Sequence, residues 1–384
     1  MLALVKPVIH PRMNSRHPLS VAHVTAESGF SGGEAQLFLL MEGLRKRGHR
    51  NLLLCPPGSR SEQEARRRGL EATAVHVRNH WSPRGVMSIA RRLRETAPDL
   101  VHLHSGRATW LGGIAAWRLG LPGLTTRRMD RRLKRNWRTR FVYGSAVCRA
   151  VAISEAVAQC LAGGGVREEI IRVVPSAVEP DRIQPQKARH VVRQSLGIEA
   201  DTACLLVAAA LVHRKGIDVL LDALARLAED ELFPTLWIAG EGPQRGALER
   251  LARDRGIASQ VRFLGRRDDV ADLLGACDIF VLPSRHEGLG VAALEAMALA
   301  RPVVATHVGG LGEAVLHQRT GLLVPPDDAA ALRAALARLL REPLLRERLG
   351  AAGPAHVAQH YQAETMVEAY ERLYFEVLEE RPQV

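Results

Sequence analysis

The sequence predicts an α/β protein of two doubly wound domains, each a parallel sheet with helices on both faces. Three observations carry this. The chain has 384 residues, about twice what one hydrophobic core usually organises. Short apolar strand patterns alternate with amphipathic helical stretches along most of it. The alternation is interrupted once, by the polar, proline-rich stretch Pro175-Ser-Ala-Val-Glu-Pro-Asp-Arg-Ile-Gln-Pro, and then begins again.

Composition narrows the class. The formal charge of +12, mostly from arginine, favours an anionic partner: nucleotide phosphates, anionic lipid headgroups or nucleic acid. Nucleic acid is the weakest of these, because no RNA-binding aromatic motif or helix-turn-helix pattern accompanies the charge. Cys55, Cys148, Cys160, Cys204 and Cys277 are widely spaced and form no CxxC pair. That argues against a disulfide framework or a zinc site and fits a reducing cytoplasm. The apolar runs are too short to span a bilayer. Residues 1–17 lack the apolar core of a signal peptide and read as a flexible tail.

The first domain is placed at residues 18–178. Residues 19–25, 51–55, 71–77, 99–104, 121–126, 150–154 and 170–174 read as its strands. After the first strand come Gly29, Gly32 and Gly33, then an amphipathic helix over 34–47 closed by Gly48. A strand, a glycine loop and a helix start can bind an anion or simply turn the chain. Sites in such sheets lie at strand carboxyl ends, which picks out His104, Ser105, Thr126, Arg127, Arg128 and Ser154. His102 and His104 share one strand face, but no further ligand is evident, so no metal is expected. From Arg127 to Arg140 the chain carries eight Arg or Lys residues and one Asp. Leu133, Trp137, Phe141, Gly144 and Cys148 recur within and after it at spacings of four and three, which predicts a helix with one apolar face and a basic remainder. Such a helix is either a solvated face or a strip for an anionic membrane or acceptor.

The second domain is placed at 179–360. A strand over 203–210 leads to Val212-His-Arg-Lys-Gly, where Arg214, Lys215 and Gly216 stand at a helix start suited to a diphosphate. Another strand ends in the turn Gly240-Glu-Gly242. Residues 261–265 follow as a strand carrying Leu264. Then Ile279 to Leu282 reads as a buried strand, Gly288-Leu289-Gly290 as a tight turn, and 291–299 as a helix. Several N–H groups and the positive end of a helix dipole would converge there. Two carboxylates bracket the turn: Glu287 at its lip, and Glu295 expected about two turns into the helix. Carboxylates beside a phosphate site suit hydroxyls of a sugar or ribose. A final helix over 361–384 carries Val367, Tyr370, Tyr374 and Val377 at helical spacing.

The Glu-x7-Glu spacing in the Glu-Gly-x-Gly turn resembles the signature of the retaining glycosyltransferases of family 4. With the other glycine turns, the resemblance runs from about Leu19 to Leu378. It implies the GT-B fold, two Rossmann-like domains facing across a cleft, with the last helix crossing back to the first domain. It implies an enzyme moving a sugar from a UDP-, GDP- or ADP-linked donor to a glycan or glycolipid acceptor. By analogy the setting is bacterial polysaccharide or lipopolysaccharide assembly, in the cytoplasm or on the inner membrane face. Lys215 would grip the donor diphosphate, Glu287 the sugar hydroxyls and Glu295 the ribose. Gly32 and Gly33 would face acceptor and phosphates. Leu264 would border the base, and Gly240, Gly242, Gly288, Leu289 and Gly290 the nucleotide.

The chain departs from the family pattern at three places. Arg128 stands where members commonly have a histidine near the reacting sugar, and it cannot act as a base there. Ala210 replaces the arginine that accompanies the lysine, with Arg214 as the nearest substitute. Ser176-Ala177 replaces Asn-Gly. These departures leave open a degenerate protein that binds nucleotide or anionic glycolipid without turnover. A sugar-nucleotide epimerase of the same fold is a further alternative, though its own acid–base set is not evident. No Asp-x-Asp metal signature occurs, and no cofactor is implied.

Overall fold

The structure is a computed structural model that describes residues 17–380 apart from 30, 78 and 80. The tail expected at 1–17 lies, except for His17, outside the described residues, as does the end of the last helix at 381–384.

The first sheet has seven strands: β1 (Ser20–Val24), β2 (Arg50–Cys55), β3 (Glu71–Ala74), β4 (Leu100–Leu103), β5 (Gly123–Arg127), β6 (Arg149–Ala152) and β7 (Ile171–Val173). The second has six: β8 (Cys204–Ala208), β9 (Thr235–Ala239), β10 (Val261–Gly265), β11 (Ile279–Leu282), β12 (Val303–Thr306) and β13 (Gly321–Val324). Their orders are β3-β2-β1-β4-β5-β6-β7 and β10-β9-β8-β11-β12-β13, and the pairings are parallel. Both sheets reverse direction of growth beside their first strand, between β1 and β4 and between β8 and β11. A crevice opens outside the carboxyl ends of strands at such points.

The central strands are near-continuous apolar runs because helices cover both faces. Leu100, Val101 and Leu103 in β4, and Ile279 to Leu282 in β11, are buried. β3 is shorter than its sequence pattern: Val75 N–H donates to Cys55 O at 2.8 Å, and there β2 ends, leaving nothing further to pair with.

Two expectations are corrected. No helix begins at Arg127. That residue ends β5, residues 128–136 are irregular, the helix is Trp137–Phe141, and Val142–Ala146 is a π-helical turn. Tertiary contacts hold the segment open. Cys160 Sγ contacts the Asp130 carbonyl at 2.9 Å, Arg127 donates to the Arg131 carbonyl, and Leu133 fills the space beside Gly164. Trp137 and Phe141 pack edge-on against Trp110, 5.5 and 6.1 Å between ring centres, out of line with Leu133. The second correction concerns Glu295. The helix is Val291–Ala298 with Gly290 as its N-cap, so Glu295 is about one turn in, not two.

The helix Ala363–Glu379 lies on the first sheet, its Tyr370 and Tyr374 buried among Val21, Leu40, Leu44 and Leu100. Glu371 ties it down, accepting from Arg47 Nε at 2.9 Å and contacting His49 Nε2 at 2.7 Å.

Candidate active site

The centre of the site is a contact between two turns. After β8, Val212 leads into a short turn His213–Lys215 closed by Gly216, whose φ is +62°. A side chain at 216 would be strained at that φ, and its Cβ would run into the Pro283 carbonyl. The turn after β11 clamps onto this one: Arg285 N–H and His286 N–H donate to the Arg214 carbonyl at 2.8 and 3.3 Å. The clamp brings Lys215 Nζ onto Glu287 Oε2, both side chains 13% exposed. Ser284 Oγ donates to the same Glu287 oxygen at 3.2 Å.

The glycine turn after β9 closes on the same place. Leu211 N–H donates to Glu241 O at 2.9 Å, and Gly240 N–H donates to Gly265 O at 2.7 Å. The end of β10, where Leu264 is half-buried beside Gly265, therefore borders Gly240. Ala210 lies in the strand of backbone that faces this turn. Arg214 does not fill its place: it is exposed, and its side chain has no bonded partner among the described residues. Arg285 is engaged, forking onto Asp218 at 2.8 and 2.7 Å and reaching Asp327.

At the start of Val291–Ala298, the amides of Gly288, Leu289, Gly290, Val291 and Ala292 donate to no acceptor among the described residues. Five such donors at a helix N-terminus can take an anion. Glu295 stands below them without a hydrogen-bond partner among those residues, and burial pushes its pKa up to about 7.

The first domain supplies the opposite wall. Arg128 follows β5, with Nη2 and Nη1 at 3.4 and 3.5 Å from His104 Nδ1. His104 Nε2 is 3.0 Å from His23 Nδ1, and His23 Nε2 is 2.9 Å from Asn51 Oδ1. Asn51 Nδ2 donates to the His49 carbonyl, which fixes the amide and makes its Oδ1 the acceptor. One proton arrangement then satisfies the chain: Arg128 donates to His104, His104 to His23, and His23 to Asn51. Burial favours neutral rings throughout, holding His23 at about 4 and His102 and His104 well below the usual range. His23, His102 and His104 bring ligand atoms within 4.8 Å of one another. Their ring nitrogens are nonetheless engaged, His102 with Tyr374 OH and Thr126 Oγ1, both at 2.7 Å. The loop with Gly32 and Gly33 borders this wall. Ser31 and Glu34 cap the helix Gly32–Lys46 reciprocally, and Arg128 Cδ would touch a Cβ at Gly33. Gly32 is exposed with open space around it.

The two walls meet. Glu287 N–H donates to Asp130 Oδ2 at 3.1 Å, and Ser154 Oγ donates to Gly288 O at 2.7 Å. Glu313 accepts from Glu155 N–H and Ala156 N–H at 2.9 and 2.8 Å, capping a helix of the other domain. Gly288 is required by this approach, since a Cβ there would collide with the Arg128 carbonyl. Of these residues, sequence reasoning missed Asp130, Glu313, His23 and Asn51. For His23 the signal was its place near the carboxyl end of β1; the others depend on contacts distant in sequence.

Two family models match the chain: Glycosyltransferase Family 4 over residues 30–182 and Glycosyl transferases group 1 over residues 202–342. The lipopolysaccharide core biosynthesis glycosyltransferase LpsE of Rhizobium meliloti (strain 1021) is 29% identical over 364 residues, covering 90% of this chain and 96% of that protein. The D-inositol 3-phosphate glycosyltransferase of Corynebacterium jeikeium (strain K411) is 31% identical over 308 residues, covering 73% of this chain and 72% of that protein. A solved glycosyltransferase from Rickettsia africae has a TM-score of 0.84 at 20% identity, covering 95% of this chain and all (100%) of that one. HepE of Anabaena, solved with UDP-glucose, has a TM-score of 0.84 at 20% identity, covering 93% and 100%. At that identity both speak to the GT-B fold.

Proposed function

The chain belongs to the group 1, family 4 glycosyltransferases, and from that premise we propose that its cleft moves a sugar from a nucleotide-sugar donor to an acceptor hydroxyl with retention of configuration. The observation that carries this is the convergence of Lys215, Glu287 and the free amides of 288–292 beside β8 and β11. Departure of a nucleoside diphosphate concentrates negative charge on its leaving oxygen. Lys215 and the amides are fixed where that charge would form, so little reorganisation is needed when it appears. Glu287 accepts from donor-sugar hydroxyls, Glu295 from the ribose, and the end of β10 at Leu264 borders the base. Arg128 forms the wall on the sugar side. HepE binds UDP-glucose, which makes UDP-sugars the first donors to try, with GDP- and ADP-sugars next. LpsE is a glycosyltransferase of lipopolysaccharide core biosynthesis, which favours a glycolipid acceptor here.

Glu295 gives this proposal a pH signature. Its carboxyl keeps a proton up to about pH 7 in the empty protein, while the carboxylate is the better acceptor for ribose hydroxyls. Affinity for a sugar nucleotide should therefore rise on the order of tenfold between pH 6 and 8. The folded pKa lies above the unfolded one, so this group's contribution to stability is full at low pH and is lost as pH rises through about 7. Thermal shift with UDP-, GDP- and ADP-sugars at both pH values checks this. One base should stabilise the protein, more at pH 8 than at pH 6, and Glu295→Gln should flatten that difference. No stabilisation by any of the three would overturn the donor assignment.

We also propose docking on the inner membrane face. No helix of the described residues is long and apolar enough to cross a membrane. Trp81 and Trp137 are 62% and 61% exposed, and the Arg138 guanidinium stacks 3.5 Å over the Trp81 ring. Exposed tryptophans among cations suit the headgroup region of an anionic leaflet, where each cation contributes on the order of 1 kcal/mol. The protein should cosediment with phosphatidylglycerol vesicles at low salt, but not with phosphatidylcholine vesicles or at high salt. Charge reversal at Arg131, Arg135 and Arg138 should reduce it. Indifference to anionic vesicles at low salt would return this surface to plain solvation.

A further inference from the structure

Arg107 and Arg128 are half-buried cations that have no carboxylate partner among the described residues. In both, Nε is shut off from solvent and bonds to nothing. Arg107 has a 3.3 Å contact with the Ala26 carbonyl, and Arg128 has only the long contacts to His104. The acid nearest in sequence to Gly33, Glu34, is committed to Ser31 N–H and Oγ at 2.9 and 2.6 Å. Arg285 of the cleft turns differs, paired with two aspartates. Shutting a guanidinium Nε off from solvent with neither counterion nor acceptor carries a cost. The histidine chain holds it in one orientation but, being neutral, supplies no charge.

The pair stands on the other wall of the cleft from Lys215 and the free amides. Both arginines border the loop between β1 and the helix Gly32–Lys46, Arg107 at Ala26 and Arg128 at Gly33. Lys215 and the free amides belong to the other domain. The Arg128 carbonyl approaches that domain at Gly288, beside Glu287. An anion at Arg128 would therefore be held from the first domain, and Lys215 holds one from the second.

We propose that Arg128, assisted by Arg107, binds a carboxylate or phosphate monoester carried by the acceptor or by the transferred sugar. An arginine fork donates two parallel hydrogen bonds to either group, which a histidine at this position could not do. The proposal rests on the transferase assignment and adds the class of its substrate.

Two arms of one calorimetric experiment identify the source. In the first, the UDP-loaded protein is titrated with glucose, glucuronate and glucose 6-phosphate. In the second, the free protein is titrated with UDP-glucose and UDP-glucuronate, or with GDP-mannose and GDP-mannuronate if GDP is the better nucleotide. A preference of about tenfold or more for the anionic member is expected in one arm. An acceptor-borne anion gives it in the first, and a donor-borne one in the second. Arg128→Gln should erase the preference and leave the affinity for UDP or GDP alone within about twofold. Arg128→Lys, which keeps the charge but loses the fork, should retain part of it, and Arg107→Gln should weaken it. Retained nucleotide affinity also shows that each variant is folded. No preference in either arm, or an equal loss for free UDP or GDP in Arg128→Gln, overturns the proposal. If no nucleotide binds the wild-type protein, the transferase assignment itself fails, and this one with it.

Discussion

Glu287→Gln is expected to lower turnover roughly 10²-fold or more while the donor nucleotide still binds, the loss usual for one electrostatic partner of a transition state. The substitution keeps the shape and removes the charge. Glu287 is held by Lys215, by Ser284 Oγ at 3.2 Å, and through its own amide by Asp130 at 3.1 Å. Only the contacts to its carboxylate change, so the turn should stay in place. The charge matters in two ways under the proposed mechanism. A carboxylate beside the reacting carbon stabilises positive charge that develops there, and it keeps Lys215 aimed at the cleft. Glutamine does neither well. Nucleotide affinity should hold or improve, because Lys215 no longer has to leave a carboxylate to meet phosphate. Steady-state kinetics with calorimetry separates these terms: kcat falls and the nucleotide Kd does not rise. Wild-type turnover in Glu287→Gln would remove the residue from the mechanism.

The parts of this site visible in the sequence are those governed by local rules. A strand, a glycine turn and a helix start carry their own signals, and Lys215, Gly240, Gly288 and Glu287 all sit on such units. The error at Glu295 is local too. The helix begins at Val291, as the run of good helix formers indicates, but Gly290 with φ +87° is its cap, so the residues between Glu287 and Val291 belong to the turn and add no helical rise before Glu295. The error after Arg127 has another cause. Spacings of three and four arise by chance in a segment that contacts several neighbours, and Leu133 answers to Gly164 while Trp137 answers to Trp110. Asp130 was out of reach because its partner Glu287 lies 157 residues away, in the other domain. The histidine chain needed the strand order. His102 and His104 are readable as one face, but His23 joins them only once β1 is known to pair with β4.

Lys215→Ala should weaken a nucleoside diphosphate on the order of 10²-fold and leave the parent nucleoside nearly unchanged. The expected size comes from what surrounds the lysine. In this chain the arginine usual to the family is replaced by Ala210, the side chain of Arg214 is exposed and unengaged, and Arg285 is occupied by Asp218 and Asp327. Lys215 is then the main cation that the turn after β8 presents to a diphosphate, and the helix amides alone would have to hold it. The change also strips Glu287 of its counterion, placing a bare carboxylate beside the phosphates. That repulsion adds to the loss, so the effect should be non-additive with the first substitution. In the cycle of Lys215→Ala, Glu287→Gln and the double variant, the double should bind diphosphate better than Lys215→Ala alone. Arg214→Ala should be mild if the exposed position persists in the complex. A loss as large as that of Lys215→Ala would show Arg214 swinging in to replace the missing arginine. Equal losses for diphosphate and nucleoside in Lys215→Ala would mean that the lysine supports the fold of the turn and does not touch phosphate.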